Sequence, residues 1–365
     1  MSEAWTDALV EPLATVLRGR PWKLIRDAPG GGWFALASGA APWFRISPES
    51  VDLAPLSPLE DERLAPLRPT LGEALRRGAA CRVLSWRPGK RAVLRFEEDG
   101  RYTVVKVYRR MPLVAERWGA FAEYSDPEWS VPRIDDIDIE RGTLTMEDCA
   151  GRTLHRRWLE GDGRSEDGDR VARLLRWIAS RPVPGALPTH GAAEEIAVLE
   201  RRVEQYARTL RRPRDSVRRL AERVCEALDR APTAPEVTVH RDLYDKQILF
   251  EGQRGRLLDL DLVARGPAAL DVGNVVAHLR LRHLTGAPVP WEAIAERIFR
   301  GAPEPLDRET LRPWIAAPLM RLALIYARRN RPPGLLAQLE NTVENVLSAT
   351  GPWKKLLEVP LDASA

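Results

Sequence analysis

From residue 81 the apolar and polar positions alternate with a period of two. The alternation runs through CRVLSW, AVLRFE and RYTVVKVY, with turns at RPGK and EDG between them. Side chains of a strand point to opposite faces in turn, so this pattern with tight Gly-containing turns predicts an antiparallel meander. The next segment, LVAERWGAFAEY, switches to three- and four-residue spacing and predicts a helix. A second hairpin-like pair is expected around IDDIDIERGTLTME, which makes residues 80 to 148 a small sheet with one helix.

Beyond Gly151 the pattern changes to long Arg- and Glu-rich segments with Leu, Val and Ala three and four apart, as in RVARLLRWIAS and EEIAVLERRVEQYARTLRR. One apolar stripe per helix predicts a mostly helical half. A brief exception spans Val237 to Asp261, where VTVHRDL, QILFEG and RLLDLDL predict short strands and loops. Upstream, an amphipathic start (Leu9, Leu13, Val16, Leu17) leads into GGGWFALASG and WFRI, expected as strands, and VDLAPLSPLED, expected as a Pro-punctuated connector. The expected organisation is therefore an N-terminal extension over 1–65, a sheet-containing lobe over 66–150 and a helical lobe over 151–365.

The hydrophobic content of 44% over 365 residues suffices for one large or two closely packed domains. The longest apolar stretch, Trp33 to Phe44, contains Gly and Pro and falls short of the roughly 20 residues of a spanning helix, so no membrane partner is expected. MSEAWTDALVEP has neither the basic opening nor the apolar run of a secretory signal, and a cytoplasmic location is expected. Cys81, Cys149 and Cys225 are far apart and show no metal-ligand spacing, as reduced core cysteines would. The net charge of +4 is spread along the chain, and no aromatic-basic interleave accompanies it, so no nucleic-acid partner is expected. The absence of a GxSxG elbow excludes the common serine-hydrolase arrangement.

The candidate chemistry lies in HRDLYDKQIL, His240 to Leu249, and RLLDLDLVARGPAALDVGN, Arg256 to Asn274. A kinase catalytic loop carries an Asp that orients the acceptor hydroxyl and, five positions later, an amide that holds a metal. Asp242 and Gln247 stand at that separation. Asp259 follows on a strand flanked by Leu257, Leu258 and Leu260, suited to hold a second carboxylate rigidly. Lys106 stands mid-strand among apolar residues, where an ammonium is costly to bury unless it meets an anion.

In order and spacing these pieces resemble the aminoglycoside phosphotransferase and choline kinase superfamily, over roughly residues 80 to 285. The resemblance implies an α+β, two-lobed protein-kinase-like fold with a small antiparallel-sheet N-lobe and a larger, mostly helical C-lobe. It implies ATP (or GTP) and Mg2+ as cofactors, with transfer of the γ-phosphate to a hydroxyl of a sugar, amino sugar, aminoglycoside-like molecule or amino alcohol. Asp242 takes the catalytic role. Asp259 and Gln247 are the implied metal ligands, and Asp261 a second-metal or water-mediated one. Lys106 meets the α/β-phosphates and pairs with Glu116, with Glu123 in reserve. Lys90 and Arg91, in the turn WRPGKR, take the place of the Gly-rich phosphate loop, and the backbone from Glu147 to Cys149 holds the adenine. Asp271 supports the catalytic loop, and the His240 ring bonds a carbonyl near the metal loop. The family usually has Asn where this chain has Gln247, and the turn lacks GxGxxG. Those two departures favour the alternative, a pseudokinase that binds nucleotide or a partner protein without phosphoryl transfer.

Overall fold

The computed structural model describes residues 22–26, 33–37, 43–46, 51–56, 61–122, 126–209, 214–303, 308–327 and 334–358. The amphipathic start from Leu9 to Leu17, and Glu123, lie outside the described residues. The chain divides into two compact units. One comprises Met1–Pro112, Pro132–Cys149 and Arg328–Arg331, the other Leu113–Val131, Ala150–Ala327 and Pro332–Ala365.

The first unit holds two antiparallel sheets. Strands β1 (Trp22–Arg26), β2 (Trp33–Ala37), β3 (Trp43–Ile46) and β4 (Val51–Leu56) pair in sequential order. β2 and β3 coincide with the strands expected from WFALASG and WFRI. The segment expected as a connector forms β4 from Val51 to Leu56 instead. Pro55 is compatible with this because β4 is an edge strand, the position in a sheet that tolerates proline.

Helix α1 (Leu67–Arg76) leads into the five-stranded sheet. Its strands are β5 (Ala80–Arg87), β6 (Arg91–Glu98), β7 (Arg101–Tyr108), β9 (Ile134–Asp138) and β10 (Thr143–Glu147), in the order β5-β6-β7-β10-β9. The period-two alternation of β6 buries Ala92, Leu94 and Phe96 on one face. Leu64, Leu67, Leu71 and Ala74 join them with Val105 and Val107 in one cluster. Each large apolar side chain so enclosed contributes about 1.5–3 kcal/mol.

The second unit is mostly helical, as expected. After α2 (Val114–Ala122) and β8 (Trp129–Ser130) come β11 (Arg152–Thr153), α3 (Leu154–Leu159), α4 (Asp167–Ala179), α5 (Ala192–Thr209) and α6 (Asp215–Asp229). The chain then forms β12 (Glu236–Val239), β13 (Ile248–Glu251), β14 (Arg254–Leu257), a 3-10 turn over Leu260–Leu262 and β15 (Ala264–Pro267). β12 and β15 form a two-stranded antiparallel ribbon, while β13 and β14 form a hairpin flanked by β11 and β8. Helices α7 (Ala269–Leu284), α8 (Trp291–Arg300), α9 (Arg308–Tyr326), α10 (Leu335–Leu347) and α11 (Pro352–Leu357) complete it. Among the described residues no helix is long and apolar enough to cross a membrane.

Helix α7 is the centre of this unit, buried on nearly every side from Ala269 to Leu281. It meets α9 at Gly273, where a β-carbon would collide with the Trp314 carbonyl oxygen, part of a backbone that cannot swing aside. Replacing Gly273 with Ala is expected to destabilise the protein by about 3 kcal/mol in chemical denaturation. Gly72→Ala in α1, where a β-carbon meets nothing within 4 Å, is the contrasting case and is expected to be neutral or slightly stabilising. Equal midpoints for the two variants would remove the close approach as a constraint.

Candidate active site

The catalytic-loop segment, residues 240–247, joins β12 to β13. It is fixed at its start by Asp271, in the first turn of α7. One Asp271 carboxylate oxygen accepts the backbone N–H of His240 at 2.6 Å and the other that of Arg241 at 2.8 Å. Burial raises the Asp271 pKa, against the opposing pull of His240 and the two amides. Arg241 sits in the left-handed region, φ 71°. A non-glycine residue there costs about 1–2 kcal/mol, and the two charge-assisted bonds to Asp271 hold it in place.

Asp242 follows directly and is half-buried. The His240 ring donates from Nε2 to the Leu258 carbonyl at 2.9 Å, and the Leu258 N–H donates to the Gln247 carbonyl at 2.8 Å. These bonds tie both ends of the loop to the end of β14, where Asp259 follows with φ 60° and ψ 59°. Gln247 Nε2 stands 3.5 Å from Asp259 Oδ2, so the structure brings these two predicted ligands together. Asp261 lies in the 3-10 turn. Its carbonyl accepts from Arg117 Nη1, and the Val263 carbonyl accepts from Arg117 Nε at 3.0 Å. One buried arginine of α2 thus clamps the turn that carries both acidic residues.

The middle of the loop is anchored separately. Asp245, fully buried, accepts from His155 Nδ1 at 2.6 Å and from Arg282 Nε and Nη2 at 2.7 and 3.2 Å. Burial alone would raise its pKa, but the His155 hydrogen bond and the Arg282 charge outweigh it and hold the carboxyl well below the usual range. Asn274 Nδ2 donates to the Leu243 carbonyl at 3.0 Å, and Arg321 Nη2 donates to Asn274 Oδ1 at 2.8 Å. Tyr244 stacks on His278 with ring centroids 4.5 Å apart. Burial, aided by the Asp242 charge, pushes the Tyr244 hydroxyl up to about 12, and burial lowers His278 to about 3.

Of the remaining predicted residues, Glu116 belongs to the same unit as Asp242, on α2 beside Arg117, and is half-buried. Lys106, Lys90, Arg91, Glu147 and Cys149 belong to the first unit. Lys106 is buried on β7, the central strand, between Val93 of β6 and Leu144 of β10, not on an edge. In the RPGK turn the Gly89 N–H donates to Asp61 Oδ2 at 2.8 Å, as does Trp86 Nε1. That amide therefore serves the turn itself. Glu147 Oε1 accepts the Arg133 N–H, and Arg95 bonds the neighbouring Asp148 at 2.7 Å.

Asp245, Arg282, Asn274, Arg117 and Asp61 were not singled out by the sequence, and His155 stood out only as a lone histidine of structural role. A signal for some of them was present. Asp271, Asn274, His278 and Arg282 are spaced three, four and four apart and form a polar stripe on an otherwise buried helix. The contacts of Arg117 to Asp261 and Val263, and of Asp61 to Trp86 and Gly89, carry no such signal, since these partners are distant in sequence. Among the described residues no group of three or more His, Cys, Asp and Glu is placed to hold a metal by itself. A cavity of about 360 Å³ lined by Arg152, Arg157, Asp162, Arg164, Phe250 and Gly252 contains none of the predicted site residues.

The model of the phosphotransferase enzyme family, APH, matches residues 72–314. No curated protein matches the chain in sequence. Among solved structures, a thermostable mutant of aminoglycoside phosphotransferase APH(4)-Ia in its apo form is 15% identical with a TM-score of 0.54, over 74% of this chain and 95% of that one. Amicoumacin kinase hAmiN in complex with AMP-PNP, Ca2+ and its ligand is 14% identical with a TM-score of 0.52, over 75% and 91%. Spectinomycin phosphotransferase APH(9)-Ia, in complex with ADP and spectinomycin, is 8% identical with a TM-score of 0.51, over 80% and 98%. At these identities the likeness shows the fold, an α+β arrangement of an N-terminal antiparallel sheet and a mostly helical C-terminal region.

The buried His278 makes stability depend on pH. The unfolded chain protonates this histidine near its ordinary pKa of about 6.5, the folded chain only near 3. Between those values the unfolded state holds more protons, so this contribution is fully present above about 6.5 and is lost as pH falls toward 3. His278→Phe keeps a ring against Tyr244 and removes the titration. The variant is expected to lose less thermal stability than the parent between pH 7 and pH 5, and parallel melting curves across that range would contradict the assignment.

Proposed function

Because the chain belongs to the phosphotransferase enzyme family, we propose that it transfers the γ-phosphate of ATP, or GTP, to a hydroxyl of a small molecule of the sugar, amino sugar or amino alcohol kind. The observation that carries this reading is the convergence of Gln247 on Asp259, on the two sides of the β13–β14 hairpin, with Asp242 on the loop that leads to it.

The residues fit a magnesium ion. Asp259 and Gln247 offer hard oxygen ligands, and rotation of the Gln247 amide by a half-turn presents Oε1 where Nε2 stands. Magnesium is usually held by one or two carboxylates together with substrate phosphates and water, which accords with a site that has few protein ligands. Asp259 and Gln247 would hold the ion there, where it would supply charge neutralisation to the transferring phosphate.

Asp242 orients the acceptor hydroxyl and receives its proton as the oxygen attacks the γ-phosphorus and the bond to the β,γ-bridging oxygen breaks, releasing the nucleoside diphosphate. Its position is set by Asp271 and by the left-handed backbone of Arg241, so the carboxylate is aimed before substrate arrives. Lys106 is the proposed contact to the α/β-phosphates and Glu116 its partner. Lys90 and Arg91 are assigned to the phosphates by their charge, and the backbone from Glu147 to Cys149 to the base. Asp261 is the proposed second or water-mediated metal ligand.

Asp242→Asn keeps the shape and removes the proton acceptor. It is expected to lower kcat by about 10³-fold while leaving Mg-ATP affinity nearly unchanged, read by coupled ATP consumption and by calorimetric binding. Undiminished turnover in the variant would remove Asp242 from the chemistry. Tight Mg-ATP binding without turnover in the parent chain would favour the pseudokinase.

A further inference from the structure

Next to Asp242 stands an arginine with a buried donor that the protein leaves without an acceptor. Arg241 Nε is screened from solvent and has no hydrogen-bond partner, and Arg241 forms no ion pair among the described residues. Buried donors almost always find an acceptor, and a guanidinium presents five N–H groups in a planar fork. An arginine held at φ 71° with a buried donor unused is costly on two counts.

The surrounding charges act on Arg241 in both directions. Glu195 of α5 exerts the largest favourable charge on Arg241, but it is shared with His190 and Arg321, and its Oε1 accepts no hydrogen bond. His190 Nε2 lies 3.0 Å from one of its oxygens and Arg321 Nε 3.2 Å from the other. Arg117 adds a third guanidinium, bonded to carbonyl oxygens that carry no full charge. Of the charges acting on Arg241, those of Glu195 and Asp242 support its cationic form and those of Arg117 and Arg321 oppose it.

We propose that Arg241 binds an anionic group, a carboxylate or phosphate, carried by the acceptor molecule itself. The acceptor is then a sugar acid, hydroxy acid or sugar phosphate rather than a cationic amino sugar. This rests on the phosphotransferase reading and revises its acceptor class. The charges acting on Arg241 come from α5, α9, α2 and Asp242, whereas the nucleotide's metal ligands are assigned to Gln247 and Asp259 at the other end of the loop. The guanidinium holds the acid bidentately while Asp242, one residue on, takes the hydroxyl, so one substrate is gripped at two points.

The test compares acceptors that differ only in charge: glucose with gluconate, glycerol with glycerate, each with Mg-ATP in a coupled assay, and glucosamine as the cationic member. The parent chain is expected to favour the acid over its neutral counterpart by about 10- to 100-fold in kcat/KM. Arg241→Gln should abolish that ratio, and Arg241→Lys should keep part of it. Preference for the neutral or cationic member, or a ratio unchanged in Arg241→Gln, overturns the proposal. Equal loss on acid and neutral acceptors assigns the arginine to the transferred phosphate instead and overturns it as well.

A second arm needs no turnover. Sulfate, compared with chloride at equal ionic strength, should raise the melting temperature of the parent more than that of Arg241→Gln. Equal shifts overturn the anion site. Failure of the kinase reading is separate: no Mg-ATP consumption with any acceptor, while the sulfate difference persists.

Discussion

The candidate site depends on one buried carboxylate. Asp271 takes the amides of two consecutive residues, His240 and Arg241, and so imposes a backbone geometry that an arginine would not adopt by itself. From this the rest follows mechanically. With the backbone turned, the His240 ring reaches the Leu258 carbonyl, and Leu258 in turn bonds Gln247, so that the loop and the end of β14 become one rigid piece. Asp242 and Asp259 are then positioned by the same set of bonds. Preorganisation of this kind removes the reorganisation that a flexible loop would undergo at the moment of transfer.

Around that centre the second unit repeats a motif in charge. Asp245 is shared by Arg282 and His155, and Glu195 is shared by Arg321 and His190. Buried ion pairs of this sort contribute little net stability, because desolvation offsets their attraction. Their role here is positional. Arg282 and His155 hold the middle of the loop, and Arg321, through Asn274, holds the Leu243 carbonyl. Both sets draw on α7, which explains why a helix buried nearly all round carries Asp271, Asn274, His278 and Arg282 along one line.

Much of this was legible in the sequence. The period-two alternation located β5, β6 and β7, and the spacing of Asp242, Gln247 and Asp259 located the loop and hairpin that carry them. The structural parts of Asp271 and His240 were also legible, because a resemblance in order and spacing carries such roles with it. The strand β4 was not, since Pro55 weighs against a strand when the edge position is unknown. Arg117 and Asp61 were not either, because their value lies in contacts to Asp261, Val263 and Gly89 that no local pattern encodes. The stripe on α7 was visible but easily overlooked, since His278 and Arg282 look like ordinary singletons until the helix around them is known to be buried.

The unusual residues of the loop sit at its two ends, while its supports sit between and beneath them. Gln247 is a methylene longer than the Asn common at its position, yet its backbone carbonyl is held by Leu258 and its amide faces Asp259. The extra length is absorbed in the side chain, because the main chain cannot shift without breaking the Leu258 bond. Arg241 at the other end carries a buried Nε to which no neighbour offers an acceptor. A scaffold built from Asp271, Asn274 and Asp245 tolerates such differences at the ends because each support grips backbone atoms or a buried ion pair, not the side chains of the end residues. The side chains at the two ends are therefore free to vary independently, while the geometry of Asp242 between them stays the same.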